Sequence, residues 1–251
     1  MRRRLGRLRR SLIRRVRAFL HPPGMRVGSY RPPLPTTPPS PADVATTEAF
    51  HRLYYDAWLA RRGTKDLSWF GYRTIKTPMD MWVYQEIVSE TKPEVIVECG
   101  TAFGGSSLYF ASLLDLLGRG DVITIDIEAK PGQPVHPRIR RIVGSSVDPG
   151  VVAEVRRRVA GRRAMVILDS DHHEPHVSKE LRAYRDVVSV GCYLIVEDTN
   201  VNGHPVVPDH GPGPWEAVEG FLPEAPEFEV DRTRERFLLT LNPGGFLKRV
   251  R

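Results

Sequence analysis

The chain has 251 residues, 41% of them hydrophobic and 27% charged, enough for one packed α/β domain with an N-terminal extension and short for two full domains. Apolar runs such as Tyr193–Val196 stop far below the ~20 residues of a bilayer-spanning helix. The formal charge of +7 comes from the start of the chain: nine arginines lie in residues 1–20, and the remainder holds 28 Lys and Arg against 30 Asp and Glu. A slightly acidic body without zinc-finger spacing, an RNA-binding aromatic motif or a basic-zipper heptad argues against a nucleic-acid enzyme.

In chain order, residues 1–20 are an Arg-rich tail. No apolar signal-peptide core or small-residue cleavage site follows the arginines, so secretion is not expected. Leu5, Leu8, Leu12, Val16 and Phe19 are spaced for a weakly amphipathic helix that can meet an anionic surface or a partner subunit, although a solvated arm is the plainer reading. Eight prolines make residues 21–42 a linker. Residues 43–90 read as a helical and aromatic segment. A helix over 46–59 breaks at Gly63, Trp69, Phe70, Tyr72, Ile75 and Met79 form an aromatic-rich approach, and a second helix capped by Thr77 or Asp80 runs to Ser89.

Residues 91–251 alternate in character. Strands are predicted at 94–99, 121–127, 138–143, 164–168 and 192–197, and helices at 106–117, 149–159, 175–188 and 215–222. Phe228–Val230 and Phe237–Leu241 read as a final antiparallel pair. The fold class is therefore α/β and Rossmann-like: a mostly parallel seven-stranded sheet with a C-terminal antiparallel strand and helices on both faces. Such sheets bind ligands beyond the carboxyl ends of their strands. Cys99 and Cys192 fall in predicted core strands, which suits a reducing, cytoplasmic setting without disulfides.

The run Val95-Ile-Val-Glu-Cys-Gly-Thr-Ala-Phe-Gly-Gly-Ser-Ser107 joins the first core strand to its helix. Gly100, Gly104 and Gly105 permit a tight turn and close approach of a ligand to the backbone, with Thr101 and Ser106 beside them. The spacing is neither the dinucleotide G-x-G-x-x-G nor a Walker A loop. Asp126, and next to it Glu128, end the second strand where a carboxylate suits a ribose. Glu98 sits inside an apolar strand end, a costly place for a carboxylate without a purpose, and suits a cationic or amino group of the ligand. Ser146 is a candidate adenine contact, while the nearby Asp148 reads equally well as a helix cap before Pro149.

At the next two strand ends, Leu-Asp-Ser-Asp-His (168–172) and Val-Glu-Asp-Thr-Asn (196–200) deliver Asp169, Asp171, Glu197 and Asp198 to one rim. So many carboxylates repel unless a cation intervenes or a proton is shared, and hard oxygen donors favour Mg²⁺ or a similar ion over zinc. Asp169, Glu197 and Asp198 are the expected metal ligands, with Asp169 and His172 as the catalytic pair. His172 is of the residue type best suited to taking a hydroxyl proton near neutral pH. His173 and His176 are weaker candidates, and His204 and His210 fall in a Pro/Gly-rich loop suited to a lid.

With Glu-Cys-Gly-Thr (98–101), Gly-Gly-Ser-Ser (104–107) and Ile-Asp-Ile (125–127), these two motifs make residues 66–248 resemble the metal-dependent O-methyltransferases. The nearest group is the cephalosporin hydroxylase/rhamnosyl O-methyltransferase family of antibiotic and glycolipid pathways. The resemblance implies a class I methyltransferase using S-adenosylmethionine and Mg²⁺, with Glu98, Gly100 and Asp126 on the cofactor and Asp169, Glu197 and Asp198 on the metal. It further implies a small-molecule hydroxyl acceptor, a deoxysugar of a specialised metabolite, and a homo-oligomer. His172 stands where catechol-type relatives carry a lysine base, which leaves the identity of the base open. The runner-up readings are an oxidative tailoring enzyme of cephalosporin-hydroxylase type and a non-catalytic nucleotide-binding scaffold whose basic tail binds RNA.

Overall fold

The structure, a computed structural model, describes residues 24–25, 27–33, 37–61 and 66–251, with residues 58–61 described by backbone alone. The Arg-rich segment and the helix expected in it lie outside these residues. Helix α1 spans Pro41–Arg61, followed by strands β1 (Asp66–Trp69) and β2 (Tyr72–Ile75) and helix α2 (Pro78–Thr91). The core then runs β3 (Val95–Cys99), α3 (Gly105–Leu117), β4 (Asp121–Asp126), β5 (Ile139–Val143), α4 (Pro149–Val159), β6 (Ala164–Leu168), α5 (Glu174–Tyr184) and β7 (Tyr193–Val196). It closes with α6 (Pro214–Phe221), β8 (Phe228–Val230) and β9 (Phe246–Arg249).

Seven strands form one sheet in the order β5-β4-β3-β6-β7-β9-β8. Every pair is parallel except β7 with β9 and β9 with β8. The β-branched and aliphatic residues of β3, β6 and β7 are all buried, as expected of strands covered on both faces. The chain builds outward from β3 through β4 to β5, then returns to add β6 on the other side of β3. That reversal opens a crevice above the carboxyl ends of β3 and β6, where doubly wound sheets bind ligands. Cys99 and Cys192 are free and buried. Among the described residues no helix is long and apolar enough to cross a membrane.

Three segments depart from the sequence reading. The aromatic approach segment is a β-hairpin turning at Phe70-Gly71, both with positive φ. Trp69 fastens it to α3 by donating Nε1–H to Ser112 Oγ (3.1 Å) and meeting Tyr109 edge-on at 4.9 Å. Helix α1 starts at Pro41, inside the expected linker, because proline is tolerated in the first helical turn. The final strand is Phe246–Arg249, not Phe237–Leu241. Leu238 takes φ +68°, while Leu241 N–H and the Thr240 hydroxyl donate to Asp80 at the start of α2. The Leu241 N–H that a strand ladder would use is thus spent on a helix terminus.

Phe246 is fully buried, whereas Phe237 is 38% exposed. Phe246→Ala is predicted to cost about 3–5 kcal/mol in urea unfolding, and Phe237→Ala less than about 1 kcal/mol. Equal losses would contradict the placement of β9.

Candidate active site

The cofactor-facing side is built on the β3–α3 turn. Gly100 has φ +100°, and a Cβ there would overlap the Asp169 carbonyl, so only glycine lets the two strand ends close up. A Cβ at Gly105 would likewise overlap Thr74 and the Arg73 carbonyl, so β2 lies directly over the start of α3. Glu98 is wholly buried; its Oε2 accepts hydrogen bonds from the Ser107 and Thr124 hydroxyls, and its Oε1 has no partner. Burial pushes its carboxyl up, opposed by Lys76 and the Ser106, Ser107 and Thr124 hydroxyls. Thr101 is buried against Thr124, with the two hydroxyl oxygens 2.6 Å apart. Gly104, at φ +78°, begins the helix.

Asp126 accepts from Ala102 N–H (2.8 Å) and Glu128 N–H (3.1 Å). It lines a cavity of about 190 Å³ together with Gly100, Gly144, Ser146, Ser170 and His176. Glu128 does not reach this cavity; its exposed carboxylate pairs with Lys130. Ser146 lies 3.1 Å from His176 Nε2, and the adjacent Glu180 raises the His176 pKa. Asp148 caps α4 by accepting from Gly150 and Val151 N–H.

The second side stands on the ends of β6 and β7. Asp169, His172 and Asp198 can each offer one ligand atom, all within 4.8 Å of one another. His172 Nε2 is 3.3 Å from Asp198 Oδ2 and 4.0 Å from Asp169 Oδ1. Asp198 adopts φ +52°, and its N–H donates to Asn242 Oδ1 at 3.1 Å. Glu197 is not in this group. Its buried carboxylate faces the Lys76 ammonium at 2.6 Å, and the same ammonium lies 2.6 Å from Asp169 Oδ2. Burial and the neighbouring Asp169 charge push the Glu197 carboxyl up, and the Lys76 ammonium pulls it back down. Burial alone would lower the Lys76 pKa, but Asp169 and Glu197 outweigh it and keep the ammonium charged.

Sequence reasoning missed Lys76 and Asn242. Neither carries a motif: Lys76 lies between β2 and the α2 cap Thr77, and Asn242 follows the misassigned strand. The one signal for Lys76 was indirect, a converging acidic rim that demands a cation. Of the other histidines, His173 pairs with exposed Asp171 (2.7 Å) and stacks on His210. His204 stacks on Trp215 and lies 3.0 Å from Glu216 Oε1. Glu216 also accepts from Asn202 and from Gly213 N–H, folding the 201–214 loop back onto the start of α6.

A doubly wound sheet with this strand order, a glycine turn at its switch point and an acidic rim alongside define a class I methyltransferase fold. Solved structures agree. The apo structure of CmcI is 21% identical with a TM-score of 0.59, covering 91% of this chain and 92% of that one. A CmcI structure with Mg and SAM is 20% identical with a TM-score of 0.56, covering 91% and 93%. The family model described as Rhamnosyl O-methyltransferase/CmcI matches residues 61–250. The Rhamnosyl O-methyltransferase of Mycobacterium tuberculosis (strain ATCC 25618 / H37Rv) is 39% identical over 220 residues, covering 83% of this chain and 86% of the relative. That of Mycobacterium leprae (strain TN) is 37% identical over 209 residues, covering 80% and 90%. The chain belongs to the Rhamnosyl O-methyltransferase/CmcI family and is an O-methyltransferase.

Although burial raises it, the Glu216 carboxyl is lowered from 4.5 to about 2 by Gly213 N–H, His204 and Asn202. A depressed carboxyl adds stability above its unfolded pKa and loses it as pH falls through its folded value. Glu216→Gln is therefore predicted to flatten the fall of the melting temperature between pH 4.5 and about 2. Wild type and variant falling in parallel would contradict the anchoring role of Glu216.

Proposed function

We propose that this enzyme transfers the methyl group of S-adenosylmethionine to a hydroxyl of rhamnose or a similar deoxysugar carried by a specialised metabolite, with Mg²⁺ at the acidic rim. The observation that carries the reading is the adjacency of two sites. The Gly100 turn, with Asp126 behind it, packs against the backbone of Asp169, and Asp169 belongs to the Asp169–His172–Asp198 group. One set of strand ends thus brings a cavity edged by a carboxylate beside a hard-donor cluster, the pair of sites this reading requires.

The residues fit both groups. Asp126 uses two acceptor positions on Ala102 and Glu128 N–H, which leaves others for the paired hydroxyls of a ribose. Glu98 Oε1, buried and unpartnered, suits the amino end of the same cofactor, and Ser146 borders the cavity where an adenine edge would lie. Asp169 and Asp198 supply oxygen donors of the kind Mg²⁺ prefers. Cofactor and metal supply, when bound, an electrophilic methyl on a sulfonium and a Lewis acid that makes the acceptor hydroxyl more acidic. His172, whose Nε2 lies 3.3 Å from Asp198 Oδ2, would receive the hydroxyl proton on a ring nitrogen that carries no hydrogen. The folded-back 201–214 loop, with His210 against His173, helps exclude water and shape the acceptor pocket. A group with one histidine and two carboxylates differs from the two-histidine, one-carboxylate triad of non-haem iron oxygenases, which disfavours the oxidative reading. The sugar acceptor is supported by the names of the mycobacterial relatives.

The test is methyl transfer to methyl rhamnoside, followed by mass spectrometry of the product. Turnover is predicted to stop in EDTA and return with Mg²⁺, and Asp169→Asn and His172→Ala to lose about 100-fold or more in kcat/KM. Asp126→Ala is predicted to raise the KM for S-adenosylmethionine about tenfold or more through lost charge-assisted hydrogen bonds. Full activity in EDTA would sink the metal role, and transfer to a catechol but to no sugar would replace the acceptor.

A further inference from the structure

Lys76 presents a buried ammonium at the bottom of the acidic rim, its side chain 3% exposed. Nothing in the methyl-transfer chemistry outlined above employs it. A buried lysine survives only where neighbouring negative charge compensates its lost hydration. Here Asp169 Oδ2 and Glu197 Oε1 each lie 2.6 Å from Nζ, and Glu98 adds to the same negative field. Asp169 is the shared group: one oxygen is on Lys76, and the residue also belongs to the donor set with His172 and Asp198. Lys76 further sits on the short link between β2 and the Thr77 cap of α2, so its position is fixed at both sides along the chain.

We infer that Lys76 is an internal cation that competes with the divalent metal for Asp169. The ammonium neutralises the rim in the metal-free enzyme and gives up its hold on Asp169 when the metal binds. Lys76 therefore sets the metal affinity of the enzyme and spares the metal-free chain the full repulsion of its carboxylates. The inference rests on the metal reading of the rim given above.

The experiment is calorimetric titration of Mg²⁺ into wild type and Lys76→Met, paired with thermal melts in EDTA and in saturating Mg²⁺. Removing one positive charge beside a cation site is expected to tighten Mg²⁺ binding by about tenfold. The variant should also melt below wild type in EDTA and gain more from Mg²⁺ than wild type does. A variant that folds only with Mg²⁺ present supports the inference in the same way. Lys76→Gln, which keeps a donor for the two carboxylates but not the charge, is expected to move affinity in the same direction. Unchanged or weaker Mg²⁺ binding by the folded variants, with wild type binding normally, would overturn the inference alone. Wild type that binds no Mg²⁺ would instead overturn the metal reading beneath it.

Discussion

Like charges cannot be gathered at neighbouring strand ends unless something of opposite charge is gathered with them. The parallel register of β3, β6 and β7 brings Glu98, Asp169, Glu197 and Asp198 to one end of the sheet, and three of the four are buried. The Lys76 ammonium, in contact with two of them, makes this arrangement tolerable. The ion pairs reach beyond the rim. Because Lys76 joins β2 to α2, they also pin the β1–β2 hairpin over the glycine turn, where β2 already presses on Gly105.

The same end of the sheet is buttressed from the C-terminal side. Asn242 accepts from Asp198 N–H and donates to Tyr84 Oη, while Thr240 and Leu241 N–H hold Asp80 at the start of α2. Burial, together with the nearby Glu197, pushes the Tyr84 phenol well up, so its hydroxyl keeps its proton. Helix α2 is thereby tied both to the rim, through Lys76, and to the 240–242 segment, through Asp80. The groups assigned to metal and base, Asp169, Asp198 and His172, stand on a support whose polar groups are largely spent on one another. Such preorganisation is what a site needs to align a hydroxyl with a methyl donor.

Much of this architecture is legible in the amino-acid sequence. The β-branched apolar runs and the helices between them mark the sheet and its ligand-binding end, because parallel strands buried on both faces have little freedom of composition. Gly100 and Asp126 are legible because a turn between strand and helix, and a strand-tip carboxylate, are local features. Three elements are not. Phe237–Leu241 has strand composition, yet its polar groups serve Asp80, a partner about 160 residues earlier in the chain. Glu128 resembles Asp126 in type, but it lies beyond the end of β4 and points to solvent toward Lys130. Lys76 reaches Glu197 across 121 residues, and no spacing rule encodes a charge pair formed only by the closing of the fold.

The proposed divalent cation would bind at the carboxyl ends of β6 and β7, beside the proposed nucleoside cavity. Anomalous diffraction from crystals grown with Mn²⁺ and S-adenosylhomocysteine tests it most directly, since Mn²⁺ shares the oxygen-rich ligand preference of Mg²⁺. One strong peak is expected between Asp169 and Asp198, beside His172, with the nucleoside against Asp126. A bound nucleoside with no manganese peak at this rim, or a peak only elsewhere, would contradict it.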